Sequence, residues 1–527
     1  MASFFKQKQK KFAKQTVPPI IKEQEDFSLK MFSQLANNLN NIKEMLESPS
    51  DLIIREFTIG CTNHRCAIVY IDGLIDNMVI NDQVIKHVQI GFVEMDGRLP
   101  EKANYLINQI YNKLISTGEV NRAVSIDKIL YSILSGDTAL FVDGTDKVLI
   151  IGSKGWENRG IEEPITEALI RGPRDGFIEN LRTNTMLIRR IIRDPNLRFK
   201  SYKIGRRSKK DLVLVYVDGI VNPQLVEEIN RRLASIDMDY ALESGQIEQW
   251  IEDNFLSPFP QIDHTERPDK VAGAVLQGKL AILLDGTPFV LIAPMTFGNT
   301  LQSQEDYYER WIAGSLIRLL RYLGAFIAVF LPAIYIALVS FQPGMIPSKL
   351  AFSIAASREH VPFPAFVEAI LMETTMELLR EAGIRLPKPI GQTIGIVGGL
   401  VIGQAAVAAG IVSPIMVIVV AITAVSSFTM PSFGTALTFR IIRFSFMLAA
   451  ALFGLYGIIL TYIVFNIHLI NLRSLGVPYT TPFAPSFVRD WKDLVLRFPI
   501  TMLTKRPKYL QTQNEKRMDI KKGRDSL

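Results

Sequence analysis

Four apolar runs in the second half of the chain limit what it can fold into more than any other feature. A transmembrane helix needs about 20 mostly apolar residues. That length is reached by residues 323–341, 390–412, 414–434 and 444–470. Pro332 inside the first run is tolerable in a packed helical bundle, where neighbours satisfy the freed backbone groups. The second and third runs are separated by little more than Ser413 and Pro414, which predicts a tight antiparallel hairpin. With 21% charged residues in 527, the hydrophobicity has to be segregated along the chain, and so long a chain exceeds the roughly 250–300 residues of a single core.

A further segment, residues 364–383, carries Glu368, Glu373, Glu377 and Glu381, too many acids for a lipid-facing span. Glu373, Glu377 and Glu381 recur every four residues and share one helix face, opposite Leu371, Met372, Met376 and Leu379. Two readings stay open: an interfacial amphipathic helix, or a fifth span that turns its acids toward a watery lumen, with Glu373 and Glu377 near a cation path. Basic Arg473, Arg489, Lys492 and Arg497 after the last run favour a cytoplasmic tail and an even number of spans, whereas Arg440 and Arg443 would then face outward. The expectation is four spans plus the acidic helix.

Within residues 390–412, a helical projection gathers Gly391, Gly395, Gly398, Ile402, Ala406 and Ala409 on one face, small enough for close helix approach. The other face carries Thr393, Val397, Leu400, Gln404 and Ile411. A side-chain amide or hydroxyl in hydrocarbon must find water or a partner. These five are therefore pore-lining candidates, with Val397, Leu400 and Ile411 as apolar rings that could gate by dewetting. Ordinary packing, with Gln404 bonded to a neighbouring helix, is the competing reading.

The N-terminal half contains a duplication. DKILYSILSGDTALFVDGT from Asp127 aligns without gaps to DKVAGAVLQGKLAILLDGT from Asp269, with eight of nineteen positions identical. AIVYIDGLID from Ala67 and VLVYVDGIVN from Val213 repeat at nearly the same offset. Each unit reads as α/β: a β-branched strand ending in Asp-Gly, a helix, then a helix closed by Gly136 or Gly278, a strand, an Asp-Gly turn and a returning strand. The predicted fold is thus a soluble α/β region of two duplicated subdomains followed by an α-helical transmembrane domain. The divisions are a basic arm 1–50, subdomain one 51–171, a connector with Arg182, Arg189, Arg190 and Arg193 plus subdomain two 172–310, the membrane region 311–475, and a basic tail 476–527.

The remaining features exclude more than they assign. Net charge is +7, with lysines and arginines at both ends, which beside a membrane region suits contact with membrane lipids rather than nucleic acid. Cys61, His64 and Cys66 offer three soft ligands where a closed zinc site needs four, so no metal is expected. The first fourteen residues are basic with no apolar run behind them, so no cleavable signal peptide is expected and the soluble part should stay cytoplasmic. No phosphate-binding glycine loop, dinucleotide fingerprint, HExxH or GxSxG occurs, and neither a cofactor nor enzymatic activity is expected.

The run RPDKVAGAVLQGKLAILLDGTPFVLIAPMTF from Arg267, with Tyr307, Tyr308 and Trp311 after it, is similar to a signature of GerA-type A subunits of spore germinant receptors. So are GPRDGFIENLRTNTMLIRR from Gly172, VPFPAFVEAILMETTMELLREAGIRLP from Val361 and IGQTIGIVGGLVIGQAAVAAGIVSP from Ile390; the resemblance covers residues 52–493 in order. It implies residence in the inner membrane of bacterial endospores, with a transporter-like B subunit and a lipoprotein C subunit as partners. It also implies assembly into a homo-oligomer, a pentamer, forming a nutrient-gated channel that releases cations. A non-conducting scaffold, or the related A-type paralogue associated with dipicolinate release, shares the same motifs.

Overall fold

The computed structural model describes residues 31–45, 52–60, 62, 64–71, 74–90, 102–155, 163–164, 166–194, 196–386, 399 and 401–518. These belong to two compact units, Met1–Asn158 and Arg159–Leu527.

In the first unit, helix α1 (Leu35–Met45) precedes strands β1 (Leu52–Thr58) and β2 (Arg65–Ile71), and helical turns between residues 79 and 114 lead to β3 (Val120–Ala123). Helix α2 (Ile126–Leu134) and the hairpin β4 (Thr138–Val142) and β5 (Val148–Ile151) complete it. The sheet is antiparallel in the order β1-β2-β4-β5-β3. Cys66 and Ile68 on β2 enter one apolar cluster while Ala67, Val69 and Ile71 enter another. Both faces of the strand are covered, which is why its sequence is a continuous apolar run rather than an alternation.

The second unit opens with the same design. Helix α3 (Leu181–Ile191), β6 (Leu197–Ile204), β7 (Lys210–Val217), α4 (Pro223–Ala234), α5 (Ser244–Ile251), β8 (Asp263–Thr265), α6 (Pro268–Gln277), β9 (Leu280–Leu284) and β10 (Val290–Ala293) form a sheet of order β6-β7-β9-β10-β8. Element for element this is the topology of the first sheet, so the duplicated α/β region is present. The likeness reaches single hydrogen bonds. Asp143 Oδ1 accepts from Leu35 N at 2.9 Å and Asp285 Oδ1 from Leu181 N at 3.3 Å. Gly144 N and Gly286 N each donate, at 2.8 Å, to the carbonyls of Ser33 and Glu179, with φ of 88° and 81° that favour glycine. Asn38 clasps the backbone of Phe32 as Asn184 clasps that of Ile178. Helices α1 and α3, read in sequence as parts of an arm and a connector, are therefore the opening helices of the two repeats. Their match, Leu35 to Leu181, Asn38 to Asn184 and Ile42 to Ile188, is too sparse in identities to stand out.

From the second repeat the chain enters the helical region: α7 (Trp311–Ser340), α8 (Ser348–Arg358), α9 (Ala365–Arg385), a helical stretch over 401–408, α10 (Pro414–Ser427) and α11 (Phe433–Asn471). Of these, α7 and α11 are long and apolar enough to cross a membrane. The first turns of α7 are tied through Arg318 and Arg321 to residues 301–306, which follow the second repeat, and Phe341 after its last turn meets Gly454, so the region has an inner and an outer end.

The last apolar run, expected as one span over 444–470, is instead the middle of a helical hairpin. Gly454 takes φ 60° and ψ −141° inside α11. Phe446 and Phe465 stack with centroids 5.7 Å apart, whereas nineteen positions along a straight helix would separate them by about 28 Å. Thr438 and His468 both reach the same inner loop, Thr438 Oγ1 donating to Pro258 O at 2.7 Å and His468 Nε2 lying 2.8 Å from Ser257 Oγ. At the outer turn a Cβ on Gly454 would lie 3.0 Å from Phe341, and one on Gly457 would collide with the Ala449 carbonyl. Hydropathy registers the length of such a run but not a backbone reversal made by glycine.

After α11 the chain returns to the second repeat. Leu475 joins its core, Ser474 Oγ donates to Gln261 O at 2.5 Å, and Gln513 N donates to Ile220 O at 3.0 Å. The tail therefore lies at the same end of the helical region as the second repeat.

Candidate functional site: charged layers in the helical region

The inner end of α7 begins in a buried charge cluster. Ser303 caps the short helix Gln304–Tyr307 with a capping box closed by Asp306. That fixes Asp306, itself buried, between two arginines one turn apart on α7. Arg318 Nε lies 3.0 Å and Arg321 Nη2 2.7 Å from its carboxylate. From the tail, Asp493 pairs with Arg318 at 3.1 Å and accepts from Tyr307 Oη at 2.7 Å, while Arg497 donates to the carbonyls of Glu309 and Tyr307. Burial and the neighbouring Asp493 carboxylate push the Tyr307 phenol far above its ordinary value.

Arg267 at the start of α6 is 1% exposed and donates to the carbonyls of Glu167 and Pro173 as well as to Asp269 at 3.1 Å. Asp269 also accepts from Tyr308. Lys270 lies 3.0 Å from both Glu167 and Asp263, whose charges hold its ammonium above the usual lysine range against the opposing effect of burial. A polar cleft of about 320 Å³ opens here between Arg267, Lys270, Arg321 and the segment 166–169.

Further out, α9 runs from the outer end, where Glu368 is buried against Arg358 at 3.0 Å and accepts from Ser413 N at 2.8 Å, back to Arg380, which reaches Ser427 at the inner end of α10. Between them Glu373, 1% exposed, pairs with Arg443 at 2.7 Å. Glu377 meets Arg380 at 2.9 Å, Arg440 at 3.0 Å and Arg443 at 3.3 Å. The acidic helix therefore packs between α7, α10 and α11, with its carboxylates turned onto arginines of the same chain. Arg440 and Arg443, which looked misplaced by the charge rule, point inward for this purpose. Arginines three residues apart in an apolar run and glutamates four apart on another helix, each pair about one turn, were the signal that could have paired them.

Of the pore-lining candidates, Thr393, Val397 and Leu400 lie outside the described residues. Gln404 and Ile411 are exposed on this chain, while Gly403 and Ala406 are buried, a Cβ on Gly403 lying 3.5 Å from Val417 of α10. Ala406 thus faces the bundle as expected of the small-residue face, whereas Ile402 and Ala409 are exposed. In the first unit Cys66 is buried, with its thiol donating to Phe57 O at 3.3 Å, and burial pushes that thiol up to about 12. Among the described residues, no group of three or more His, Cys, Asp or Glu is placed to hold a metal ion.

Comparison with known proteins agrees with the resemblance read from the motifs. The profile of the family described as Bacillus/Clostridium GerA spore germination protein matches residues 40–509. Spore germination protein GerLA of Bacillus cereus is 51% identical over 486 residues, covering 92% of this chain and 97% of that one. The uncharacterized membrane protein YfkQ of Bacillus subtilis (strain 168) is 44% identical over 490 residues, covering 93% and 94%. The solved N-terminal domain of the A subunit of the Bacillus megaterium spore germinant receptor GerK3 is 40% identical, covering 51% of this chain and 97% of that domain, with a TM-score of 0.21. This chain belongs to the GerA family of spore germination proteins.

Proposed function

We propose that the chain is the A subunit of a spore germinant receptor and that several copies, five by family resemblance, form a ring around an ion-conducting pore in the inner spore membrane. The α/β region and the tail face the cytoplasm. The chain crosses by α7, α9, the 390–412 segment, α10 and the two arms of α11, six passes that leave both ends on one side. A transporter-like B subunit and a lipoprotein C subunit complete the receptor, and nutrient binding opens the pore to cations.

One observation carries this reading. Gln404 sits on the outward side of a helix whose opposite face, Gly403 and Ala406, packs into the bundle. An amide turned toward hydrocarbon costs several kcal/mol, roughly 2–7 by transfer scales. A shared, water-filled lumen between copies removes that cost and makes Thr393, Val397, Leu400, Gln404 and Ile411 its wall. Glu373 and Glu377 then influence cation passage through the arginines they hold. Val397→Ala and Leu400→Ala should give spores that lose cations or germinate without nutrient; unchanged, nutrient-dependent release with normal protein levels refutes the gate.

A non-conducting scaffold that presents the B subunit is the second reading. The pairing of Glu373 and Glu377 with arginines, which leaves neither as a free carboxylate, favours it. Ion flux through purified oligomers separates the two.

A further inference from the structure

The second repeat exposes a group of large apolar side chains that neither its core nor the charged layers use. Phe255 is 77% and Leu256 79% exposed, and Tyr240, Leu242 and Trp250 are exposed as well. Met238, Tyr240, Trp250 and Phe255, with the polar Asp239, Gln246 and Gln249, line one shallow depression, which brings Phe255 beside the two polar-tipped aromatics. Patches of this kind on a soluble surface mark a docking face.

What covers it follows from where it lies. Phe255 and Leu256 immediately precede Ser257 and Pro258, the two residues pinned to the inner ends of the α11 arms through His468 and Thr438. Phe259 is buried against Phe465 and His468. Two residues of chain reach at most about 7 Å, so Phe255 stays at the level of His468. On α11, Ile463, Ile467 and Ile470 form an exposed stripe that runs through and past that level. The exposed loop is thus continuous with the apolar face that the helical region turns to lipid.

The polar surroundings fit the same occupant. The β6–β7 turn brings exposed Arg207 and Lys209 beside Tyr240, Arg207 N donating to Asp239 O at 2.8 Å, and exposed Arg473 follows α11 directly. Of the nearby acids, Asp237 is engaged by Arg206 and Asp253 by Arg232, while exposed Asp239 lines the depression itself, one acid against the two cations Arg207 and Lys209. Burial, then Glu252 and Asp263, push the Glu248 carboxyl, on the helix that carries Trp250, up to about 8, so it is mostly neutral at neutral pH. Aromatic side chains with a polar tip, rimmed by cations, are the composition found at the boundary between acyl chains and headgroups.

We propose that Phe255 and Leu256, flanked by Tyr240 and Trp250, insert into the cytoplasmic-side lipid surface and hold the second repeat against the bilayer. The inference rests on α7 and α11 crossing the membrane as proposed above. It is tested on the full-length protein in vesicles, with an environment-sensitive fluorophore on Leu256→Cys in a Cys61→Ser background; buried, weakly acidic Cys66 does not compete for label. The same label on Ile463→Cys is the control for the membrane reading. A probe at 256 should lose about half or more of its emission in lipids brominated near the headgroup end of the acyl chain, and less in lipids brominated at the methyl end. Quenching at 463 but not at 256, with 256 open to aqueous iodide, overturns the anchor and leaves the membrane reading standing. A probe at 256 shielded from both quenchers is covered by protein and also overturns the anchor. Quenching at neither position overturns the membrane reading and the anchor with it. Should the label disturb folding, intrinsic Trp250 fluorescence compared with that of Trp250→Phe reads the same depth difference.

Discussion

The two α/β repeats share strand order, turn glycines and helix-capping aspartates, yet they differ at the start of one helix. In the second repeat α6 opens with buried Arg267, and its Asp269 and Lys270 bind Tyr308, Glu167 and Asp263. At the matching positions the first repeat has Ser125, Asp127 and an exposed Lys128. The residue just before the strand that follows is buried Lys279 in one repeat and Asp137 in the other. The cores remain alike because packing constrains them. Divergence is concentrated where the second copy became the base of the helical region, so what the duplicates do not share marks where the second acquired its own work.

Removing Arg267 should give the largest asymmetry. Arg267→Ala leaves two carbonyls without their donor and the buried Asp269 charge with the Tyr308 hydroxyl in place of a cation, and should cost about 3–5 kcal/mol, whereas Ser125→Ala should stay within about 0.5 kcal/mol. Thermal unfolding of the full chain in detergent reads both, and equal shifts would contradict a specialised second repeat.

Lys279 comes next. It is fully buried, its Nζ lies 2.8 Å from Asn299 Oδ1, and burial lowers its ammonium from the ordinary 10.5 to about 8. Below pH 8 both folded and unfolded chains hold the proton, and the folded state carries the full burial penalty. Between about 8 and 10.5 only the unfolded chain keeps it, so stability should rise with pH across that window. Lys279→Met should stabilise by about 1–3 kcal/mol at pH 7, and the gain should vanish near pH 10.5. A pH-independent difference between variant and parent would remove Lys279 as its cause.

The smallest effect sharpens the likeness instead. Asp143→Ala and Asp285→Ala should each cost about 1 kcal/mol and speed hydrogen exchange at Leu35 and Leu181 to a similar degree. A large inequality would mean that the two turns, despite matching bonds, do different jobs.

Much of this was legible because identities and hydropathy report local rules. The Asp-Gly turns, the glycine caps at Gly136 and Gly278 and the apolar strands announced both repeats. Helices α1 and α3 did not, since only three of eleven positions, Leu35, Asn38 and Ile42 against Leu181, Asn184 and Ile188, are identical between them. The hairpin in α11 was hidden because its two arms are equally apolar and only the φ of Gly454 separates them. The glutamates of α9 were visible as a periodic face, but their partners Arg440 and Arg443 lie more than sixty residues later, a separation that periodicity cannot bridge. Within the described part of the 390–412 run, Gln404 is exposed and Ala406 buried, the separation that a helical projection gives them.

The central claim, that the Gln404 face lines a cation pore shared between copies, is tested most directly by electrical recording. Purified full-length Gln404→Cys protein in the Cys61→Ser background, its oligomeric mass confirmed, is reconstituted into planar bilayers. The account predicts a cation-selective current that falls when a bulky, positively charged, water-soluble thiol reagent is added, with no such fall in the Cys61→Ser parent. Oligomers of the Gln404→Cys variant that stay silent, or that conduct unchanged after mass measurement has verified that the introduced thiol is modified, would contradict it.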